Sequence, residues 1–362
     1  MAISKTILAA NAPLVGIKGE TAYGEGIDSA GADGTAYRQL PLLQATKPNF
    51  NTQRVDRLLS GRGSIENAAD SYNTGKGGTV TMPFDFWATP KLLAQFMALV
   101  GQEHSETGAY IHQHEFDSAS NAQAIGGTVT ANLPSTVNLA YRTGTAAEAI
   151  RVTGAMVSDL TLTLDAGANN GLMSLSGNFF SGHANPLATG TALEETQDGT
   201  WTKPDWGTYY SIHDITTKQL EVEAGGLLDM VFKSLTLTIT NNVVRVGQNS
   251  NGDAEGLHIP NFDITGTLVV KYDANFDYAA GTNILQDFLD YKTVSLSLLW
   301  GDGTVGTAGE MNITAEIQYT GDPSQDISET GIFHSLPFKC KQNASTEALK
   351  VILFNGESQT AW

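Results

Sequence analysis

Ser158-Asp159-Leu160-Thr161-Leu162-Thr163-Leu164 sets an apolar side chain at every second position, and Ser234-Leu235-Thr236-Leu237-Thr238-Ile239-Thr240 repeats the lettering further along the chain. A period of two gives a strand one apolar and one polar face, the pattern of a half-buried antiparallel sheet. Working outward, residues 79–86, 264–272, 294–300 and 311–319 alternate in the same way, each bounded by Gly, Asn or Asp. The fold class is therefore mainly β. Only two stretches carry a helical stripe. In PKLLAQFMALVG, Pro90 suits a first turn, Leu92, Phe96 and Val100 share a face beside Leu93 and Met97, and Gly101 suits the C-terminal cap. In TNILQDFLDY, Thr282 or Asn283 can cap a stripe of Ile284, Leu285, Phe288 and Leu289. Each helix is expected to plug an open end or face of a β-sandwich.

The order of the pieces repeats. A strand region at 40–55, a Gly- and Asn-rich loop at 59–77, the strand GTVTMPFDF and the first helix correspond to 230–242, a loop of equal length at 243–261, ITGTLVVKYD and the second helix. Gly78-Thr79-Val80 and Gly266-Thr267-Leu268 open the matching strands, and SLSGNFFSG at 174–182 is paired with ITAEIQYTG at 313–321 as the closing strand. The expected organisation is an arm at 1–39, a first β-sandwich domain at 40–198, linker and connecting strands at 199–227, a second sandwich at 228–325, and a C-terminal extension at 326–362 packing on its own or a neighbouring subunit. Two long polar loops at equivalent places point to function. Arg62, Asn73 and Lys76 in the first, with Arg245, Asn249, Asn251, Asp253 and Glu255 in the second, are the candidate assembly residues, on hairpins expected to order only when subunits meet.

Composition restricts the partners. The chain of 362 residues carries 20 Lys and Arg against 38 Asp and Glu, a formal charge of −18, which is the wrong sign for gripping phosphate backbones. One cysteine, Cys340, allows neither an internal disulfide nor a thiolate metal cluster. The apolar run at 7–10 is too short for a secretory core, and no stretch is long enough to span a bilayer, so mature, non-membrane protein is expected.

Catalytic and cofactor motifs fail on context. Gly301, Gly303 and Gly306 spell G-x-G-x-x-G, but between two strands, where a hairpin turn is expected and no helix N-terminus can receive a pyrophosphate. His112 and His114 share a strand face and with His104 would offer three imidazoles, yet no fourth ligand is evident and polar strand residues are expected. Asn249, Asn251, Gly252 and Asp253 resemble a calcium loop, but the first two ligand positions lack carboxylates and no Glu stands at the required later spacing. Cys340 has no activating neighbours in sequence and is expected as a packed thiol. Trp201, Trp206, Tyr209 and Tyr210 form either a sugar-stacking platform or, as expected here, packing between domains. No cofactor, metal or catalytic residue is assigned, and the chain is expected not to be an enzyme.

Several of these stretches together resemble the tail tube (major tail) proteins of long-tailed bacteriophages: ETAYGEG at 20–26, GTVTMPFDF with PKLLAQFMALVG, YIHQHEF, VSDLTLTLDAGANNGLMSLSGNFFSG, and SLTLTITNN followed by DITGTLVVKYDAN. The likeness covers about residues 15–325 and rests on diffuse β patterns. It implies β-sandwiches flanked by a helix, rings stacked into a hollow conduit for genome delivery, and residence in the virion tail after synthesis in the host bacterial cytoplasm. Tail terminator, distal tail and tape-measure proteins are implied partners, with genomic DNA in transit and not tightly bound. Single-domain members form hexameric rings; a duplicated chain would need only three copies, a homotrimeric pseudo-hexamer, and its −18 charge suggests an acidic lumen. The alternatives are a surface or secreted glycan-binding β-sandwich protein using the 201–210 aromatics, and a hydrolase assembled from scattered Asp, Glu and His.

Overall fold

The computed structural model describes residues 13–19, 37–56, 71–101, 103–107, 111–116, 136–143, 150–182, 204–222, 226–247, 254–271, 284–302, 309–328, 331–343 and 346–356. Its elements are β1 (Pro13–Gly19), β2 (Arg38–Gln39), β3 (Asn49–Asp56), β4 (Ser71–Trp87), α1 (Pro90–Val100), β5 (Glu103–Thr107), β6 (Ile111–Phe116), β7 (Val137–Thr143), β8 (Ile150–Asp165) and β9 (Ser174–Ser181). They continue with β10 (Ile215–Val222), β11 (Gly226–Asp229), β12 (Phe232–Thr240), β13 (Val244–Val246), β14 (Gly256–His258), β15 (Asp263–Lys271), α2 (Ile284–Leu289), β16 (Thr293–Trp300), β17 (Met311–Tyr319), β18 (Ser324–Ser328), β19 (Gly331–Cys340) and β20 (Leu349–Phe354). The described residues of every alternating run singled out in the sequence lie in one of these strands.

All pairings are antiparallel. β2, β1, β7, β8, β9, β4 and β3 lie side by side in that order. β11, β10, β16, β17, β19, β15 and β12 form a second series, and α1 follows β4 as α2 follows β15. In this order β9 stands opposite β19, and β17 stands opposite β8. The sequence pairing of 174–182 with 313–321 is thereby corrected: period-two lettering identifies a strand but not its neighbour.

The two series are sewn together by β8 and β12, whose register runs from Asp165 opposite Ser234 to Asp159 opposite Thr240. One run of the sheet is thus β3-β4-β9-β8-β12-β15-β19-β18. A second run is β5-β6-β20-β17-β16-β10-β11. The C-terminal segment packs on its own chain, with β19 between β15 and β18 and β20 between β6 and β17. Leu160, Leu162, Leu164, Leu235, Leu237 and Ile239 are buried in one hydrophobic cluster that spans both halves of the chain.

α1 is more deeply placed than its stripe suggests. Thr89 caps it by accepting from the Leu92 N–H, Pro90 opens it, and every residue but Lys91 is buried, because the helix packs on β8 and also touches β6 and β20. Phe96 sits edge-on to Phe84 and Phe86 at 4.7 Å. Gly101 ends the helix without a left-handed φ; a Cβ there would come within 2.5 Å of the Phe116 ring, so close approach is what demands glycine. α2 differs from expectation: it is six residues long, buries Ile284 and Asp287, and leaves Leu289 57 % exposed. Its proposed cap residues lie outside the described residues.

Of the expected linker, residues 204–222 and 226–227 are described, and Trp206 and Tyr210 among them are buried. Tyr210 donates its N–H to the Ala88 carbonyl and accepts from Met173 N–H, while its ring lies 6.2 Å from that of Trp300. Asn241, unremarkable in the sequence, is fully buried just past β12. Its side-chain amide donates to the carbonyls of Val100 (2.9 Å), at the end of α1, and Val157 (2.5 Å), in β8, and its oxygen accepts from Val243 N–H.

Replacing Asn241 by Leu keeps the volume but strips these carbonyls of a buried donor. The expected cost is about 2–3 kcal/mol of folding free energy, read as a lower denaturation midpoint with unchanged slope.

Candidate functional site

The alternation that buries the leucines turns a hydroxyl-rich face outward. At the joint this face holds Thr161, Thr163, Thr236 and Thr238, with the Thr161 and Thr238 hydroxyls 3.0 Å apart across the ladder. Thr79 and Thr81 continue it on β4, Ser174 and Ser176 on β9, and Thr265 and Thr267 on β15. Its charges nearly balance: Asp85, Asp159, Asp165 and Asp263 stand with Lys233, Lys271 and Lys339. Most are engaged locally. Asp159 accepts from the Asn178 amide at 3.1 Å and from Ser158, Lys339 pairs with Asp263 at 2.6 Å, and Lys233 lies over the Phe333 ring. Nothing in the sequence distinguished this face from any other polar strand face, because the strand order that assembles it is a tertiary fact.

The two long loops are hairpin arms. β3 and β4 stay paired out to Asp56 opposite Ser71, so residues 71–77, expected as loop, are the first part of a long strand. Asn73 and Lys76 lie on that strand, and Arg62 lies outside the described residues. In the second loop β13 and β14 pair, with Arg245 opposite Leu257. Ala254 is buried and its N–H reaches the Gly182 carbonyl, while Glu255 N–H bonds to the Val246 carbonyl. Gly247, at φ +67°, lies where a Cβ would meet the Glu255 carboxylate. The base of this arm is held by local ladder bonds and a buried alanine. Asn249, Asn251 and Asp253, at the tip, lie outside the described residues, as does the calcium-like pattern.

The remaining candidates take structural places. His112 and His114 are fully buried on one face of β6, and His112 Nε2 is 2.8 Å from Asn355 Oδ1. His104 lies on β5, and among the described residues no group of three His, Cys, Asp or Glu side chains could hold a metal ion. Trp300 and Met311 face each other as the last pair of the β16–β17 hairpin, which makes the glycine-rich stretch its connection. Trp206 and Tyr210 are buried and Tyr209 is exposed, so the described aromatics offer no stacked platform. Trp201 lies outside the described residues. Cys340 is buried, which pushes its thiol up to about 12. Among the described residues no helix is long and apolar enough to cross a membrane.

Comparison with known proteins adds one finding: the profile of a family described as phage tail tube protein matches residues 12–340. No curated protein matches the chain.

His334, on β19 beside β18, is 2 % exposed, and burial holds its imidazole below the ordinary value of 6.5. The unfolded chain therefore takes up the proton first, and the histidine's contribution to stability is complete above pH 6.5 and lost as the pH falls below it. Urea melts above and below that pH should show a larger loss for the wild type than for His334→Gln; equal losses would assign the acid sensitivity to other groups.

Proposed function

The chain belongs to the phage tail tube protein family and is a structural subunit of the virion tail, and from that premise we propose that three copies close into a ring of six tube-type units, each chain supplying two. The observation that carries this is the pair of strand series in the same order, joined by β8 and β12 into one sheet. A chain with two such units needs half the copies of a chain with one. Rings stack into a hollow conduit through which the genome leaves the capsid, with tail terminator, distal tail and tape-measure proteins completing the tail. The protein is made in the host cytoplasm and performs no catalysis.

The uncovered hydroxyl face of the β3-to-β18 sheet lines the bore. Its opposite face is occupied by α1 and the core, so in a closed ring this face is left for the lumen. Threonine and serine present no fixed cation, and of the three lysines Lys339 is paired with Asp263 and Lys233 lies over the Phe333 ring, so passing phosphates find few sites at which to release counterions and stick. A slight excess of Asp over Lys gives weak repulsion. The lumen is thus mildly acidic and hydroxyl-rich, and most of the −18 charge lies elsewhere. The glycan-binding alternative loses its platform, since Trp206 and Tyr210 are core residues.

Electron cryomicroscopy of assembled protein should show three chains per ring and a wall of Thr and Ser with few free cations. Six chains per ring, or a bore rich in Lys and Arg, would overturn this account.

The hairpin arm at 243–261 reaches the adjacent ring. Excising the tip at 249–253 while keeping β13, β14 and the buried Ala254 should leave a folded protein that forms rings but no tubes. Unfolding, or tubes of normal length, would remove the arm from the stacking contact.

A further inference from the structure

The ladder that joins the two halves inside one chain has a vacant counterpart at the sheet's edge. Aligning Gly78-Thr79-Val80 with Gly266-Thr267-Leu268 and crossing to the next strand sets Ser181, the partner of Val80, against Leu336, the partner of Leu268. In that register Asn178, Gly177 and Ser176 of β9 stand where Phe333, Ile332 and Gly331 of β19 stand. Crossing once more, these pair with Asp159, Leu160 and Thr161 in the first half and with Asp326, Ile327 and Ser328 in the second. β18 is therefore the counterpart of the stretch of β8 that carries the joint. The match extends to residue type, Asp-Leu-Thr against Asp-Ile-Ser.

Their surroundings differ. Leu160 is fully buried and paired across the joint with Ile239 of β12, whereas Ile327 is 74 % exposed and its neighbour Ile332 is 39 % exposed. Among the described residues β18 pairs only with β19, and at the far end of the same sheet β3, the counterpart of β12, pairs only with β4. An edge with an exposed apolar side chain is a pairing template that a free-standing protein blunts. Here both open edges are the two halves of a contact the chain already makes once.

We propose that β18 of one copy takes β3 of the next copy as an antiparallel neighbour, repeating between chains the β8–β12 ladder within the chain. The contact is head to tail, the kind that forms a ring when its rotation closes, and in that ring internal and external joints alternate. Ile327 becomes covered as Leu160 is. This rests on the ring-forming function proposed above and names the surfaces that make the ring.

A photo-crosslinking amino acid at position 327, in rings assembled from mixed heavy- and light-isotope protein, should give mixed-isotope crosslinks to the peptide containing residues 49–56. In parallel, Ile327→Lys should retain the wild-type melting temperature, since the side chain is already exposed, yet lose rings at concentrations where the wild type is fully assembled. Tyr291→Lys, at an equally exposed site away from the edge, should assemble normally. Wild-type rings whose crosslinks from 327 fall elsewhere, or Ile327→Lys rings formed as readily as wild type, would overturn the pairing while leaving the ring intact. Wild-type protein that never forms rings would overturn the ring itself.

Discussion

One ladder governs this molecule: the antiparallel pairing of β8 with β12. β12 ends the second series, and the 159–165 stretch of β8 runs on past its pairing with β7, so each would be a bare edge of alternating Leu and Thr, an aggregation template. Pairing the two edges satisfies the backbone groups of both and brings Leu160, Leu162 and Leu164 beside Ile239, Leu237 and Leu235. The core then becomes continuous, and α1, packed on β8, is buried except at Lys91. Asn241 fixes the geometry at the end of the ladder, because its amide binds helix and strand carbonyls at once. A slip of one residue would turn the leucines out and the threonines in, so the register is set by the hydrophobic pattern as well as by hydrogen bonds.

Much of this could be read from the chain. Alternation located the strands, since apolar burial on one face leaves a direct mark in the lettering. Pro90 and Gly101 marked α1, and the expected hairpins match the β3–β4 and β13–β14 arms. Neighbour relations were not legible. Leu160 and Ile239 touch because of a ladder between residues far apart in the chain, and β9 finds its counterpart in β19 only once β15 and β4 are known to stand beside them. The site was less legible than the fold: a Thr on a strand reads the same whether its face meets solvent, a partner or a bore. Asn241 carried no signal because a lone asparagine after a strand normally reads as a turn residue.

The lumen proposed for the hydroxyl face accounts for the small number of cations on it. A tube wall has to be wetted without holding what moves past it. Hydroxyls meet that need through exchangeable hydrogen bonds to water, and partnered ions such as Lys339 with Asp263 add no net pull. Gly177 illustrates how tightly the layer beneath is drawn: a Cβ there would lie 2.0 Å from the Asp159 carbonyl oxygen, so β8 and β9 approach at a point where only glycine fits.

Cys340 has a practical corollary. The chain's single sulfhydryl lies inside the core, and burial keeps it in the protonated, unreactive form at neutral pH. Maleimide dyes and spin labels would pass it by in the folded protein. Any cysteine introduced on the surface becomes the one addressable position, without a cysteine-free background having to be built first, and the subunit is ready for single-site fluorescence or paramagnetic distance measurements along a tail.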